Sequence, residues 1–205
     1  MADHKKGTST VSLLNERLDE MAREKGVPMP MLAQSLHMTP DFIGNRSPLA
    51  DPFMRGAVVG LPLSATLDDL AVLYLAANQA LAYQTRHILD ALKAANHPPP
   101  TSIIACGGLA KNALYIKMHA DVLGLPIHLP KEEEAVLLGA AILGATAGGI
   151  YSSINEAMCS MTAIGSTVLP TLDDAISTFH ERRYCVFRRM ASDQLEYRNI
   201  METSI

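Results

Sequence analysis

The chain has 205 residues, of which 48% are hydrophobic and 19% are charged, and these values are typical of one or at most two globular domains with a real core. Its formal net charge of −4 gives no reason to expect nucleic acid or an anionic membrane as a partner. The three cysteines include no C-x-x-C pair, so they indicate neither a disulfide framework nor a zinc site, and a cytoplasmic location fits best.

The N-terminal ten residues are polar and lack both the apolar stretch of a signal peptide and the arginines of a transit peptide. We therefore expect a mobile N-terminus over residues 1–10 and a folded domain over residues 11–205. Apolar residues at 11, 14, 18 and 21 have helical spacing and predict a helix from Val11 to Lys25. Gly26, followed by Pro28, ends it.

The next segment, residues 27–62, contains six prolines together with glycines at 44, 56 and 60, which exclude a long helix. We expect irregular chain or short strands there. Thr66 can cap a helix that runs from about Leu67 to Ala95, with acidic residues in its first turn. The many alanines of this helix would let neighbouring elements approach closely, and the three prolines at 98–100 end it.

An alternating pattern follows and indicates an α/β layer. It comprises a strand over 102–105, a helix over 112–123, a strand over 126–129 and a helix over 132–147. The apolar run from Ala135 to Ala147 is shorter than the roughly 20 residues needed to cross a bilayer, so it predicts a buried helix. Two further helices are expected, over 153–161 and from 173 to about 201, with an extended piece at 167–169 between them.

The strand over 102–105 leads into two glycines and a helix, in the stretch Cys106-Gly107-Gly108-Leu109-Ala110-Lys111-Asn112. Such a turn can bring backbone N–H groups up to a nucleotide, but a Gly-Gly pair is also common wherever a tight turn is needed. It matches neither the dinucleotide pattern G-x-G-x-x-G nor the P-loop, because Lys111 follows Gly108 too closely. A lysine that grips phosphate is therefore not established by spacing.

Charged residues outside this turn have simpler interpretations. Arg46, Asp51 and Arg55 form either a structural ion-pair network in the proline-rich segment or part of a substrate cleft, and we favour the structural role. His119 and Asp121 are two residues apart on a helix and do not share a face, so we expect solvation or capping rather than a metal pair.

The run from Glu181 to Arg189 places arginines beside aromatic residues, a pattern that can bind nucleic acid. Acidic residues flank the run on both sides, which favours an ordinary amphipathic helix. We expect Tyr184, Phe187 and Tyr197 to pack inward and the arginines to point outward.

Three segments together resemble the C-terminal domain of the FGGY carbohydrate kinases, over nearly the whole chain from about Val11. The first is residues 40–52, Pro-Asp-Phe-Ile-Gly-Asn-Arg-Ser-Pro-Leu-Ala-Asp-Pro. The second is the glycine turn at 106–112, which is similar to the adenosine motif of the family. The third is Gly-Ala-Ala at 139–141, followed by Gly148. The resemblance is closest to the ribulokinase-like branch.

This resemblance implies an α/β, helix-rich, actin-like ATPase domain of the ribonuclease H type, one half of a clamp that holds ATP in its cleft. It implies a kinase that transfers the γ-phosphoryl group of Mg-ATP to a hydroxyl of a pentulose, D-ribulose, mainly by positioning and charge stabilisation. Gly107 and Gly108 would let the backbone approach the nucleotide, while Leu109, Lys111 and Asn112 would line the adenosine side. Asn112 could alternatively serve only as a helix N-cap.

The same resemblance places the D-x-G-T phosphate loop, the catalytic aspartate and the Mg²⁺ ligands in a half that precedes this chain. The domain is then incomplete at its N-terminal side, and we expect no catalytic residue and no metal ligand in the chain. Most sugar contacts would also lie on the other half, to which an exposed interdomain face of this chain could bind. The alternative is a noncatalytic adenine-nucleotide-binding or interaction module.

Overall fold

The computed structural model describes residues 9–202 of the chain. The helices of this part are α1 (Thr10–Lys25), α2 (Leu67–Ala94), α3 (Ala113–Leu123), α4 (Ala135–Ala147), α5 (Ile154–Met161) and α6 (Asp174–Glu202). The strands are β1 (His37–Thr39), β2 (Ala57–Val59), β3 (Ile103–Ile104), β4 (Ile127–Pro130) and β5 (Ile164–Val168). Short 3₁₀ helices cover Met29–Ala33 and Gly108–Lys111.

Helix α1 begins at Thr10, one residue before the predicted start, because the side chain of Ser9 accepts a hydrogen bond from the backbone N–H of Ser12 and caps it. Residues 9 and 10 therefore belong to an ordered helix start, and the rest of the expected mobile N-terminus, residues 1–8, lies outside the described residues. Gly26 ends the helix as predicted, in the left-handed conformation with φ 63°.

Helix α2 also starts and ends close to the predicted positions. The Thr66 hydroxyl accepts from the backbone N–H of Asp69, whose carboxylate in turn accepts from the backbone N–H of Thr66, so the two residues form a capping box. The buried face of α2 is rich in alanine and packs against α1, α3 and α6. The main core therefore surrounds α2.

The described strands form two small sheets. Strands β1 and β2 pair antiparallel within the segment 27–62, where irregular chain or short strands were expected. Strands β3, β4 and β5 form the second sheet, in which β3 and β4 are parallel and joined by α3, and β5 is antiparallel to β4. The extended piece expected at 167–169 is thus the end of a longer strand. The strand–helix alternation is confirmed as an α/β layer.

Helix α4 is mostly exposed, so the prediction of a buried helix at this position is wrong. Only Ile142 of this apolar helix is buried, while Val136 and Leu137 are 86% and 66% exposed. Its main neighbour is α5, and the short sheet leaves its other sides in contact with solvent. An apolar composition indicates that a helix tends to pack against other elements, but it does not determine whether another element lies against it.

Helix α6 is amphipathic as predicted, but two of its side chains lie on the opposite side from the one predicted. Tyr184 and Phe187 are buried as predicted, whereas Tyr197 is exposed near the end of the helix. Arg183, expected to point outward, is buried and donates to the backbone carbonyls of Ala33 and Leu36. Arg183 therefore links α6 to the segment that precedes β1.

Among residues 9–202, no helix combines the length and the apolar character needed to cross a membrane.

We predict that His180 makes the fold sensitive to acid. It is buried in α6 and hydrogen-bonded to the Tyr83 hydroxyl over 2.8 Å. Burial lowers its pKa from 6.5 to about 4, against a smaller opposing effect of the Asp121 carboxylate. At a pH between these two pKa values, His180 is protonated in the unfolded chain but not in the folded chain. The free energy of unfolding therefore falls as the pH drops from 6.5 towards 4. The loss from this group at pH 5 is about 2 kcal/mol relative to neutral pH.

Urea unfolding of the wild-type chain, His180→Gln and His97→Gln at pH 7.0 and 5.0 tests this. His97 is exposed after the end of α2, so its substitution should leave the pH dependence unchanged. Glutamine at 180 cannot take up the proton and should remove about 2 kcal/mol of the acid-induced loss. An equal loss in all three proteins contradicts the assignment.

Candidate functional site

The glycine turn follows the C-terminal end of β3, a strand that is parallel to β4, and leads into α3. Gly107 has φ 92° and ψ −177°, a backbone conformation that is almost restricted to glycine. Gly108 begins the 3₁₀ helix and has an unstrained φ. A Cβ atom built on either glycine would meet no atom within 4 Å, and both residues are exposed. The turn therefore presents open backbone to solvent.

The space beside the turn is largely apolar. A cavity of about 440 Å³ borders Gly108 and is lined by side chains of β3, the 3₁₀ helix and α3, among them Ile104, Leu109 and Tyr115. Leu109 and Ile104 are exposed. The purine ring of a nucleotide can stack its flat face on such an apolar surface while its polar edge atoms stay in contact with water.

Asn112 is the N-cap of α3, and its side chain joins three helices. Its Oδ1 accepts from the backbone N–H of Leu114 over 3.2 Å and from Asn15 Nδ2 over 3.3 Å. Its Nδ2 donates to the Tyr74 hydroxyl over 2.7 Å and to Asn78 Oδ1 over 3.4 Å. Asn78 is itself fixed, because its Nδ2 donates to the Tyr74 carbonyl over 2.8 Å. The start of α3 is thereby fastened to α1 and α2.

These partners of Asn112 were not foreseen from the sequence. Tyr74 and Asn78 lie one turn apart on α2, which places them on one helix face. That spacing is common and gives no indication of a partner 34 or more residues away. The N-cap role, which the sequence left open beside a nucleotide contact, is confirmed.

Lys111 forms an ion pair with Glu133 over 2.7 Å, and both side chains are mostly exposed. Their hydrogen bond raises the pKa of Lys111 and lowers that of Glu133. Because the pair is exposed, it holds the two segments together only weakly. The Lys111 ammonium group lies at the turn and can exchange this carboxylate for another anion at small cost.

The three charged residues predicted as a network do not contact one another. Asp51 pairs with Arg198 of α6 over 2.7 Å, and this hydrogen bond lowers the pKa of Asp51. Arg55 donates to the carbonyls of Pro52 and Met54. Arg46 is exposed. The predicted ion-pair network among these three residues is therefore wrong, and the partner of Asp51 comes from the distant helix α6.

His119 and Asp121 are not solvated, which corrects a second prediction. His119 is buried and lies 3.1 Å from the Thr85 hydroxyl, and burial lowers its pKa. Asp121 accepts from Lys117 Nζ and from the backbone N–H of Thr171. The two side chains therefore bond to different groups. Within the described range 9–202, no three His, Cys, Asp or Glu side chains are grouped so that they could hold a metal ion.

Comparisons with known proteins agree on one family. The C-terminal domain of the FGGY family of carbohydrate kinases matches residues 4–148. An FGGY carbohydrate kinase domain-containing protein of Xenopus laevis is 50% identical over 96% of this chain and 35% of its own length. A D-ribulokinase of Saccharomyces cerevisiae is 37% identical over 73% of this chain and 21% of its own length.

The fold agrees with this relationship. The solved structure of Plasmodium falciparum glycerol kinase with ADP superposes with a TM-score of 0.61 at 16% identity, over 87% of this chain and 37% of that one. The likeness identifies the fold as the actin-like ATPase fold of these kinases. The chain spans about a third of the length of the Xenopus relative. By its matched domain and its relatives, this chain belongs to the FGGY family of carbohydrate kinases.

Proposed function

We propose that this chain is the nucleotide-side, C-terminal part of an ATP-dependent carbohydrate kinase that phosphorylates a hydroxyl group of a pentulose, D-ribulose. Family membership supports the kinase activity, and the similarity to a D-ribulokinase supports the sugar. The observation that carries the nucleotide site is the open glycine turn after β3, where the backbone can approach a ligand closely.

Within this proposal each residue of the turn has a separate task. Gly107 supplies the left-handed backbone that directs the chain away from β3, and Gly108 leaves the space that the ribose and phosphates need. Leu109 offers its exposed side chain to the adenine ring. Lys111, released from Glu133, provides positive charge. Asn112 holds the start of α3 in place and lines the adenosine side.

The aspartate that accepts the sugar proton, the phosphate loop and the Mg²⁺ ligands are assigned in this proposal to another segment of the full kinase, as the family resemblance implies. In the bound state Mg²⁺ neutralises charge on the transferred phosphoryl group. The residues of this chain bind and orient the nucleotide, and residues 11–205 act as one half of the clamp. The exposed apolar side of α4 is the part of this half that we assign to association with the other, in the cytoplasm.

A noncatalytic adenine-nucleotide-binding or interaction module is the second candidate. It is favoured by one observation, which is that the open glycine turn can accept a nucleotide without any group that transfers a proton. The two candidates share the glycine turn, so nucleotide binding supports both and phosphoryl transfer separates them.

We predict that ADP binds the purified chain and that Gly108→Arg abolishes the binding heat in calorimetry. The arginine side chain would occupy the space assigned to the nucleotide, and the unstrained backbone at 108 lets the variant fold. Gly144→Arg is the matched control, because a side chain at this helical position also meets no neighbour and Gly144 does not line the cavity beside the turn. Equal heats for the wild type and Gly108→Arg would disprove the site.

The conformation at Gly107 gives a second variant for the same titration. Alanine at 107 has to adopt the φ of 92°, which costs about 1–3 kcal/mol, whereas Gly108→Ala meets neither strain nor a clash. We therefore expect Gly107→Ala to lower both stability and ADP affinity and Gly108→Ala to leave stability unchanged. Equal denaturation midpoints for the two alanine variants contradict the proposed role of Gly107.

We predict that the isolated chain does not phosphorylate D-ribulose and that the full-length kinase does. The measurement is ATP-dependent formation of the sugar phosphate, with D-xylulose and glycerol as competing acceptors. Product formed by the isolated chain would contradict the assignment of the catalytic aspartate to another segment. A full-length protein that binds ADP but phosphorylates none of the three acceptors would favour the noncatalytic module.

A further inference from the structure

A second cavity, of about 660 Å³, lies between the 3₁₀ helix at Met29–Ala33, β1 and the first turns of α6. Its apolar wall is formed by Met31, Phe179 and Val186. Its polar part includes the side chains of two consecutive arginines, Arg182 and Arg183. None of the residues assigned to the nucleotide turn lines this cavity, so the inference below is independent of the proposed function.

Arg183 is an unusual residue to find inside this protein. It is 5% exposed, and no carboxylate among the described residues lies within ion-pair distance of it. Two of its nitrogens donate to backbone carbonyls, Nη1 to Ala33 and Nη2 to Leu36, but Nε has no hydrogen-bond partner in the part of the chain that is described. Backbone carbonyls satisfy N–H groups without neutralising the positive charge.

A buried cation without a carboxylate partner is costly. The ring of Phe179, whose centroid lies 5.5 Å from Arg183 Cζ, compensates only part of this cost. Burial lowers the pKa of Arg183, and the Tyr83 hydroxyl opposes this effect. The half-buried His37 also lines the cavity, and its pKa is lowered by burial and by the charge of Arg183. The cavity therefore has a positive end.

One carboxylate, that of Asp174, also lines the cavity, in the first turn of α6. With two guanidinium groups and one carboxylate, and with His37 neutral, the lining carries a net charge of about +1 at neutral pH. A single negative charge balances it, whereas a dianion would be repelled by Asp174. The apolar wall adds a requirement for a hydrophobic body on the ligand.

We propose that this cavity is a binding site for an amphipathic monocarboxylate, whose carboxylate lies at the exposed guanidinium group of Arg182, beside the buried charge of Arg183, and whose apolar body contacts Met31, Phe179 and Val186. The planar guanidinium groups match a carboxylate in shape and charge. Because the cavity is bordered by α6 and by the segment before β1, the bound ligand reinforces the link that Arg183 makes between them.

The test is a nuclear magnetic resonance titration of the full chain with three probes, hexanoate, hexanol and acetate. Hexanoate carries both the charge and the apolar body, while the other two carry one each. We expect saturable shifts of the Thr178 and Phe179 amide resonances with hexanoate at concentrations at least tenfold lower than with either other probe.

Substitutions of single arginines show which guanidinium group contributes to hexanoate binding. Arg182→Gln removes an exposed guanidinium that the fold does not need and should weaken hexanoate binding about tenfold, as expected for loss of a charge-assisted hydrogen bond. Arg189→Gln is the matched control. Arg189 lies two turns further along α6 and pairs with Asp193, so its substitution should leave the affinity for hexanoate unchanged. Arg183 is kept, because its substitution also removes two structural hydrogen bonds.

Several results would overturn the proposal. Hexanol that binds as tightly as hexanoate shows an apolar cavity without anion recognition. Equal hexanoate affinities for the wild type and Arg182→Gln show that the guanidinium has no part in binding. Tighter binding of hexyl phosphate than of hexanoate contradicts the preference for a monoanion, and the absence of saturable shifts with every probe leaves Arg183 as a structural link alone.

Discussion

The close approach of α2 to α1, α3 and α6 is the constraint on which the rest of this chain depends. It is possible because α2 presents small buried side chains, Ala71, Ala76, Ala80 and Ala82, to its neighbours, so that the helix backbones come near one another. The same helix then supplies Tyr83 to an aromatic cluster with Tyr184 and Phe187 of α6. Nearer the start of α2, Tyr74 and Asn78 reach Asn112. Core packing and the position of the glycine turn are therefore set by one element.

The features that the sequence predicts well are those with local causes. The starts of α1 and α2 and the ends of α1 and α3 follow from caps and left-handed glycines, whose hydrogen bonds connect residues only a few positions apart. The glycine turn is similarly local, because Gly107 and Gly108 lie directly between a strand and a helix. The N-cap role of Asn112 is local in the same way, since an N-cap is recognisable from its place before α3.

The features that the sequence does not predict arise from distant partners. Arg183 points inward because carbonyls some 150 residues earlier in the chain accept from it, and no periodicity along α6 indicates them. Tyr197 is exposed because the packed region of α6 lies nearer its middle. Burial of α4 was inferred from composition, but a helix is covered only where another element lies against it. The ion pair of Asp51 with Arg198 likewise depends on the path of the whole chain.

The exposed apolar side of α4 also determines how the chain responds to its solvent. Near room temperature the attraction between apolar surfaces strengthens on warming, and salts such as sulfate that are excluded from protein surfaces strengthen it further. A surface that carries Val136, Leu137 and Leu143 in contact with water is therefore easiest to keep dissolved in the cold and at low concentrations of sulfate. A helix that contributes little to the core thus affects how the chain behaves in solution.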